Sequence, residues 1–153
     1  MSATTGDRPV PAPAHRASPR PLGEWKQEIL RVYNQVNKEV AGLGVTRQRV
    51  HVEDDHLLVV ATHHRLPALA TITAADPSLG RRADVAVIDA GKALLRARLV
   101  DELGIGVLSV LKDYDPVAEV AATVVLLAAP LPVTGRGASR GPDDTVVGTP
   151  PMC

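Results

Sequence analysis

Four of the five histidines in this chain lie between residues 51 and 64. They are His51, His56, His63 and His64. Imidazole nitrogens are common metal ligands and proton carriers near neutral pH, and Glu53 adds a carboxylate beside them. The segment therefore raises the hypothesis of a metal- or small-molecule-binding module that uses His51, Glu53 and His56.

The element that must position these histidines is a β-hairpin. Apolar and polar residues alternate over residues 49–53, the pair Asp54 and Asp55 is typical of a turn, and residues 57–60 form a second apolar run. A turn at the two aspartates sets Val52 opposite Leu57 and His51 opposite Leu58.

In this register the histidines do not converge. His51 and His56 share a face but occupy different rungs, and His63 falls on the opposite face by parity. Three ligands would need a bulge or a second chain, so solvated strand histidines are the favoured interpretation. The two aspartates are explained by turn geometry.

An amphipathic helix precedes the hairpin. Its apolar stripe is Trp25, Ile29, Val32, Val36, Val40 and Leu43. These positions recur at helical spacing, and Gly42 and Gly44 predict the helix end. The polar edge of this helix is Tyr33, Asn34, Gln35, Asn37 and Lys38. This edge is the candidate interaction surface, although local capping or hydrogen bonding to the adjoining hairpin is the favoured interpretation of its amides.

The second half of the chain repeats the pattern of a helix followed by two strands. Residues 63–75 are expected to connect, Asp76 to cap a helix over about residues 78–103, and residues 107–112 and 120–128 to form strands. The order α-β-β-α-β-β favours a two-layer α+β sandwich, in which two helices cover one face of an antiparallel four-stranded sheet.

That architecture leaves the other sheet face uncovered. The residues expected to point there are Leu58, Val60 and several of Val120, Thr123, Val125 and Leu127. An apolar sheet surface favours a homodimer or partner interface; the alternative is that the tails or the linker cap it.

Composition predicts one domain between two tails. The 153 residues are 45% hydrophobic, enough for one core. Residues 1–21 and 130–153 are rich in Pro, Gly and small residues, which predicts disordered tails around a domain at 22–129.

Charge and aromatic content narrow the classes of function. Lys plus Arg and Asp plus Glu number 17 each and only 2% of residues are aromatic, which argues against nucleic acid as a partner. The single cysteine, Cys153, and the absence of a long apolar run indicate a cytoplasmic protein without direct membrane insertion. No arrangement of nucleophile and base is evident, so we expect neither an enzyme nor a cofactor.

The helix and hairpin resemble the MpsC-like domain family, named for the third component of a bacterial sodium-translocating system that generates membrane potential. The resemblance rests on residues 32–39, on Gly42 and Gly44, and on the strands at 49–52 and 57–60, and it extends more weakly over residues 25–128. It implies only a small soluble domain linked to membrane energetics or ion transport. We therefore expect an accessory or regulatory domain that acts through protein contacts, with a membrane transport complex as a candidate partner.

Overall fold

The computed structural model describes residues 16–135 and shows an antiparallel sheet covered by helices. The elements are α1 (Leu22–Ala41), β1 (Thr46–Val52), β2 (His56–Thr62), α2 (Pro67–Ala75), α3 (Pro77–Leu103), β3 (Val107–Asp115) and β4 (Val120–Leu127). The strand order is β1-β2-β4-β3, and each neighbouring pair is antiparallel. The predicted α+β class and four-stranded sheet are confirmed.

Helix α1 follows the predicted apolar stripe. Trp25, Ile29 and Val32 are buried in the core, and Val36 continues the same face. The helix ends where Gly42 adopts a left-handed φ of 71° and its N–H reaches the carbonyl of Lys38. Leu43 was expected on the stripe, but it lies beyond this end and is 43% exposed.

The first hairpin has the predicted register. Val52 pairs with Leu57, Val50 with Val59, and His51 with Leu58. The turn is the aspartate pair. Leu57 and Val59 therefore face the helices, whereas His51 and Leu58 face away from them.

Helix α2 was not predicted and occupies most of the expected connection. Pro67 supplies the first helical residue, where its missing N–H costs nothing. The residues of α2 are apolar or small on all sides, so the sequence shows no helical period of hydrophobicity. The last helical residue is Ala75, and Asp76 is the C-cap. The Asp76 side chain then caps α3 by accepting from the N–H groups of Ser78 and Leu79, as expected. Helix α3 continues through Gly80 and Gly91 without a break.

The side assigned to β4 residues needs a correction. Thr123, Val125 and Leu127 were expected on the open face, but all three are buried on the helix side. Pairing of β4 with β2 sets Thr123 beside Val59 and so determines the facing of the whole strand. Val120 does lie on the open side, in the row of Thr62.

Order extends beyond the predicted domain limits of 22 and 129. Arg20 pairs with Val133 in a parallel bridge, and Leu131 is buried. The indole N–H of Trp25 donates to the carbonyl of Pro132 at 3.1 Å. Residues 1–15 and 136–153, which make up the rest of the predicted tails, lie outside the described residues.

Two glycines of α3 should respond oppositely to alanine. A Cβ at Gly80 would lie 2.7 Å from the Cα of Thr73, so Gly80→Ala must separate α2 from α3 and should lower the free energy of unfolding by about 1–3 kcal/mol. A Cβ at Gly91 meets nothing within 4 Å, so Gly91→Ala should raise it by about 0.5–1 kcal/mol. Urea denaturation of both variants measures the difference; equal effects would contradict this packing.

Candidate functional site

A buried polar cluster joins α1 to the sheet. The hydroxyl of Tyr33 lies 3.0 Å from Nε2 of His63 and 3.1 Å from Oγ1 of Thr123. Tyr33 is 1% exposed and Thr123 is fully buried. Burial raises the pKa of the Tyr33 hydroxyl, so it stays protonated and available to donate.

Lys112 brings a positive charge into this cluster. The alternation of β3 turns its side chain toward the helices, where Nζ donates to Oδ1 of Asn37 at 3.2 Å. Nζ also lies 5.3 Å from the centroid of the Tyr33 ring. Burial lowers the pKa of Lys112 to about 8. Within residues 16–135, no ion pair involves Lys112.

His63 is neutral at physiological pH. Burial, and then the charge of Lys112, lower the pKa of its imidazole to about 4. The ring edge of His63 meets the ring of Tyr33, and the hydroxyl of Tyr114 donates to the His63 carbonyl at 3.0 Å. The cluster therefore holds one neutral imidazole next to one ammonium.

A cavity of about 80 Å³ opens beside this cluster, and we name it the Lys112 cavity. Its apolar wall is formed by Val40, Leu66, Leu69, Val87 and Ile88. Its polar lining includes Asn37, His63, His64, Arg65, Asp84, Lys112 and Tyr114. Helices α1, α2 and α3 and strand β3 thus all contribute to one partly open cavity.

Arg65 is the other strong cation of the Lys112 cavity, and it has an acidic partner. Its guanidinium donates to Oδ2 of Asp84 at 3.1 Å and to Oγ1 of Thr73 at 2.8 Å. Its Nε is buried without a hydrogen-bond partner. The cavity is therefore lined by one guanidinium that has a carboxylate partner and one ammonium that has none.

The second candidate site is the sheet face that the helices leave uncovered, here named the open face. Strand pairing sets Leu58, Val124 and Leu111 in one row across β2, β4 and β3. Leu111 is 56% exposed, and Leu108, at the β3 bulge, is 61% exposed.

Charge is divided between the two edges of the open face. The next row across the sheet reads Arg49, Val60, Ala122 and Asp113. Its ends, Arg49 on β1 and Asp113 on β3, are both exposed. Along this row the open face is thus apolar at its centre, basic at the β1 end and acidic at the β3 end.

The five residues predicted as an interaction surface do not share one exposed surface. Tyr33 belongs to the buried cluster, and Asn37 is 6% exposed with its amide donating to the Tyr33 carbonyl. Asn34 accepts from the N–H of Val45 at 3.0 Å, which ties the helix end to the hairpin. Gln35 and Lys38 are exposed. Tyr33 and Asn37 are therefore inaccessible to a partner in this structure, although an interaction role for the exposed members stays a prediction.

The hairpin histidines are dispersed. His51 is exposed on the open face, His56 contacts Oδ1 of Asp55 at 2.6 Å, and Glu53 is exposed beside the turn. His63 lies on the helix side, as its parity predicted. No group of three or more His, Cys, Asp or Glu residues within 16–135 is arranged to hold a metal ion. The geometry therefore gives no support to the metal-binding alternative.

Sequence reasoning missed four site residues: Arg65, Asp84, Lys112 and Thr123. The signal for Lys112 was present, because Val110, Lys112 and Tyr114 alternate on one face of a strand. Thr123 interrupts an apolar run, and no local pattern places it in the core. Only its pairing with Val59 of β2 does so.

No family model, curated protein or solved structure matches this chain. The resemblance to the MpsC-like family therefore stays a prediction. No helix within residues 16–135 is long and apolar enough to cross a membrane.

The depressed pKa of His63 predicts a specific loss of stability in acid. The unfolded chain takes up a proton near pH 6.5, whereas folded His63 resists protonation down to about 4. The stability that depends on neutral His63 is therefore fully present above pH 6.5. It is lost as the pH falls toward 4, which lowers the free energy of unfolding by about 3 kcal/mol.

The variant His63→Gln should remove this component while keeping a group that can hydrogen-bond to Tyr33. Urea denaturation at several pH values between 7 and 4 should therefore give a shallower pH dependence for His63→Gln than for the wild type. His51→Gln, on the open face, is the matched control. Parallel curves for wild type and His63→Gln would refute the assignment.

Proposed function

We propose that this protein is a non-enzymatic accessory domain that works through protein contacts and assembles as a homodimer across its open face. The observation that carries the proposal is the row Arg49, Val60, Ala122, Asp113, whose apolar centre separates opposite charges. The resemblance to the MpsC-like family extends the proposal to a membrane ion-transport complex as the partner of the dimer.

The apolar centre supplies the driving force. Scattered exposed leucines are ordinary on protein surfaces, but here the register joins Leu58, Val124 and Leu111 into one band. Two such sheets can pack face to face with their side chains interdigitated, as in β-sandwiches. Each copy would remove the band of the other from water.

The charges select the symmetry of the pair. A two-fold axis parallel to the strands, lying between the two sheets, sets β1 of one copy over β3 of the other. Arg49 then faces Asp113 of the second copy, and the contact occurs twice. An axis perpendicular to the strands, in the same plane, would instead bring β1 against β1 and so place Arg49 near its own equivalent. Charge complementarity favours the first arrangement.

Charge reversal tests this arrangement. Arg49→Asp and Asp113→Arg should each weaken the dimer at least several-fold, because each creates two like-charge contacts, and the double variant should restore it. Leu111→Lys should also weaken it by placing an ammonium in the apolar band. Sedimentation equilibrium reports the ratio of dimer to the 16.1 kDa chain.

Arg81→Asp, an exposed charge reversal on α3, is the matched control and should leave the dimer intact. Circular dichroism confirms that each variant is folded. Wild-type protein that sediments as a monomer at every concentration would overturn the proposal. A dimer that survives Leu111→Lys would place the interface elsewhere.

A further inference from the structure

We propose that the Lys112 cavity is a binding site for a small organic anion, a carboxylate with a short aliphatic chain. The carboxylate would meet the ammonium of Lys112, and the chain would lie against the apolar wall formed by Leu69, Val87 and Ile88. This inference is independent of the proposed dimer, because the cavity lies on the other side of the sheet.

The charge balance of the cavity calls for an anion. Lys112 and Arg65 are cations, His63 is neutral, and Asp84 is the single carboxylate among the lining residues. Because Asp84 pairs with Arg65, the ammonium of Lys112 contacts the amide oxygen of Asn37 and the Tyr33 ring but no carboxylate. A buried charge without a counterion is costly, and a bound carboxylate would offset that cost.

Size and wall chemistry define the rest of the ligand. The cavity of about 80 Å³ is well below the ~300–1,000 Å³ of drug-sized pockets, so it takes only a few heavy atoms. The five aliphatic side chains of its wall favour a hydrocarbon tail over a fully hydrated anion such as inorganic phosphate. The lack of any atom within 4 Å of a Cβ at Gly91 shows that α3 also leaves space there.

Isothermal titration calorimetry with butyrate, 1-butanol and inorganic phosphate tests the site. Butyrate should bind at millimolar concentration, and at least tenfold more tightly than either 1-butanol or phosphate. Lys112→Met keeps the aliphatic stem and should weaken butyrate binding at least tenfold, and Gly91→Leu should abolish it by filling the space. Lys38→Met, on an exposed position of α1, should bind like the wild type.

The pH dependence gives a further readout. Butyrate affinity should fall progressively above pH 8, where Lys112 loses its proton. Arg65 and Asp84, which pair with each other, also line the cavity. The other titratable groups that line the cavity are His63, His64 and Tyr114.

Three results would overturn the proposal. They are equal binding of butyrate by wild type and Lys112→Met, binding of 1-butanol as tight as that of butyrate, and no butyrate binding by a wild-type protein whose fold is confirmed by circular dichroism. Each of these results is separate from the sedimentation behaviour that tests the dimer.

Discussion

The structure depends on one constraint: helices cover a single face of the sheet. A strand residue therefore lies either beneath the helices or on the open face, and the two-residue alternation of the strand decides which. Consecutive residues of β3 show the consequence, because Leu111 is exposed on the open face while Lys112 reaches the buried cluster. Both candidate sites follow from this division of the sheet.

Beneath the helices, the same constraint produces an interior in which not every charged group has an oppositely charged partner. Tyr33, His63 and Thr123 satisfy one another, and their short contacts join α1 to two strands. Lys112 is different. A methionine at this position would fill the space of the aliphatic part of the lysine side chain without the cost of burying an ammonium. A charge retained there without a carboxylate partner is more simply explained by a ligand than by stability.

Sequence patterns predicted local features better than long-range ones. Helix α1 and the register of the first hairpin follow from periodicity and turn residues within one segment. Helix α2 was missed because its residues are apolar or small on all sides, which removes the helical period. The facing of Thr123 was wrong because it depends on which strand lies beside β4. Lys112 and Arg65 come together only through packing of α2, α3 and β3, for which no local pattern exists.

In the proposed homodimer, a second copy of the chain covers the open face with its strands in a defined orientation. The most direct measurement is an isotope-filtered NOE spectrum of a mixture of labelled and unlabelled protein, which reports only contacts between copies. We expect contacts between methyl groups of Leu58 in one copy and Val124 in the other, because a two-fold axis along the strands sets β2 over β4. Contacts between Leu111 on the edge strand β3 and its own equivalent, or no contacts between copies from any methyl group of the open face, would contradict it.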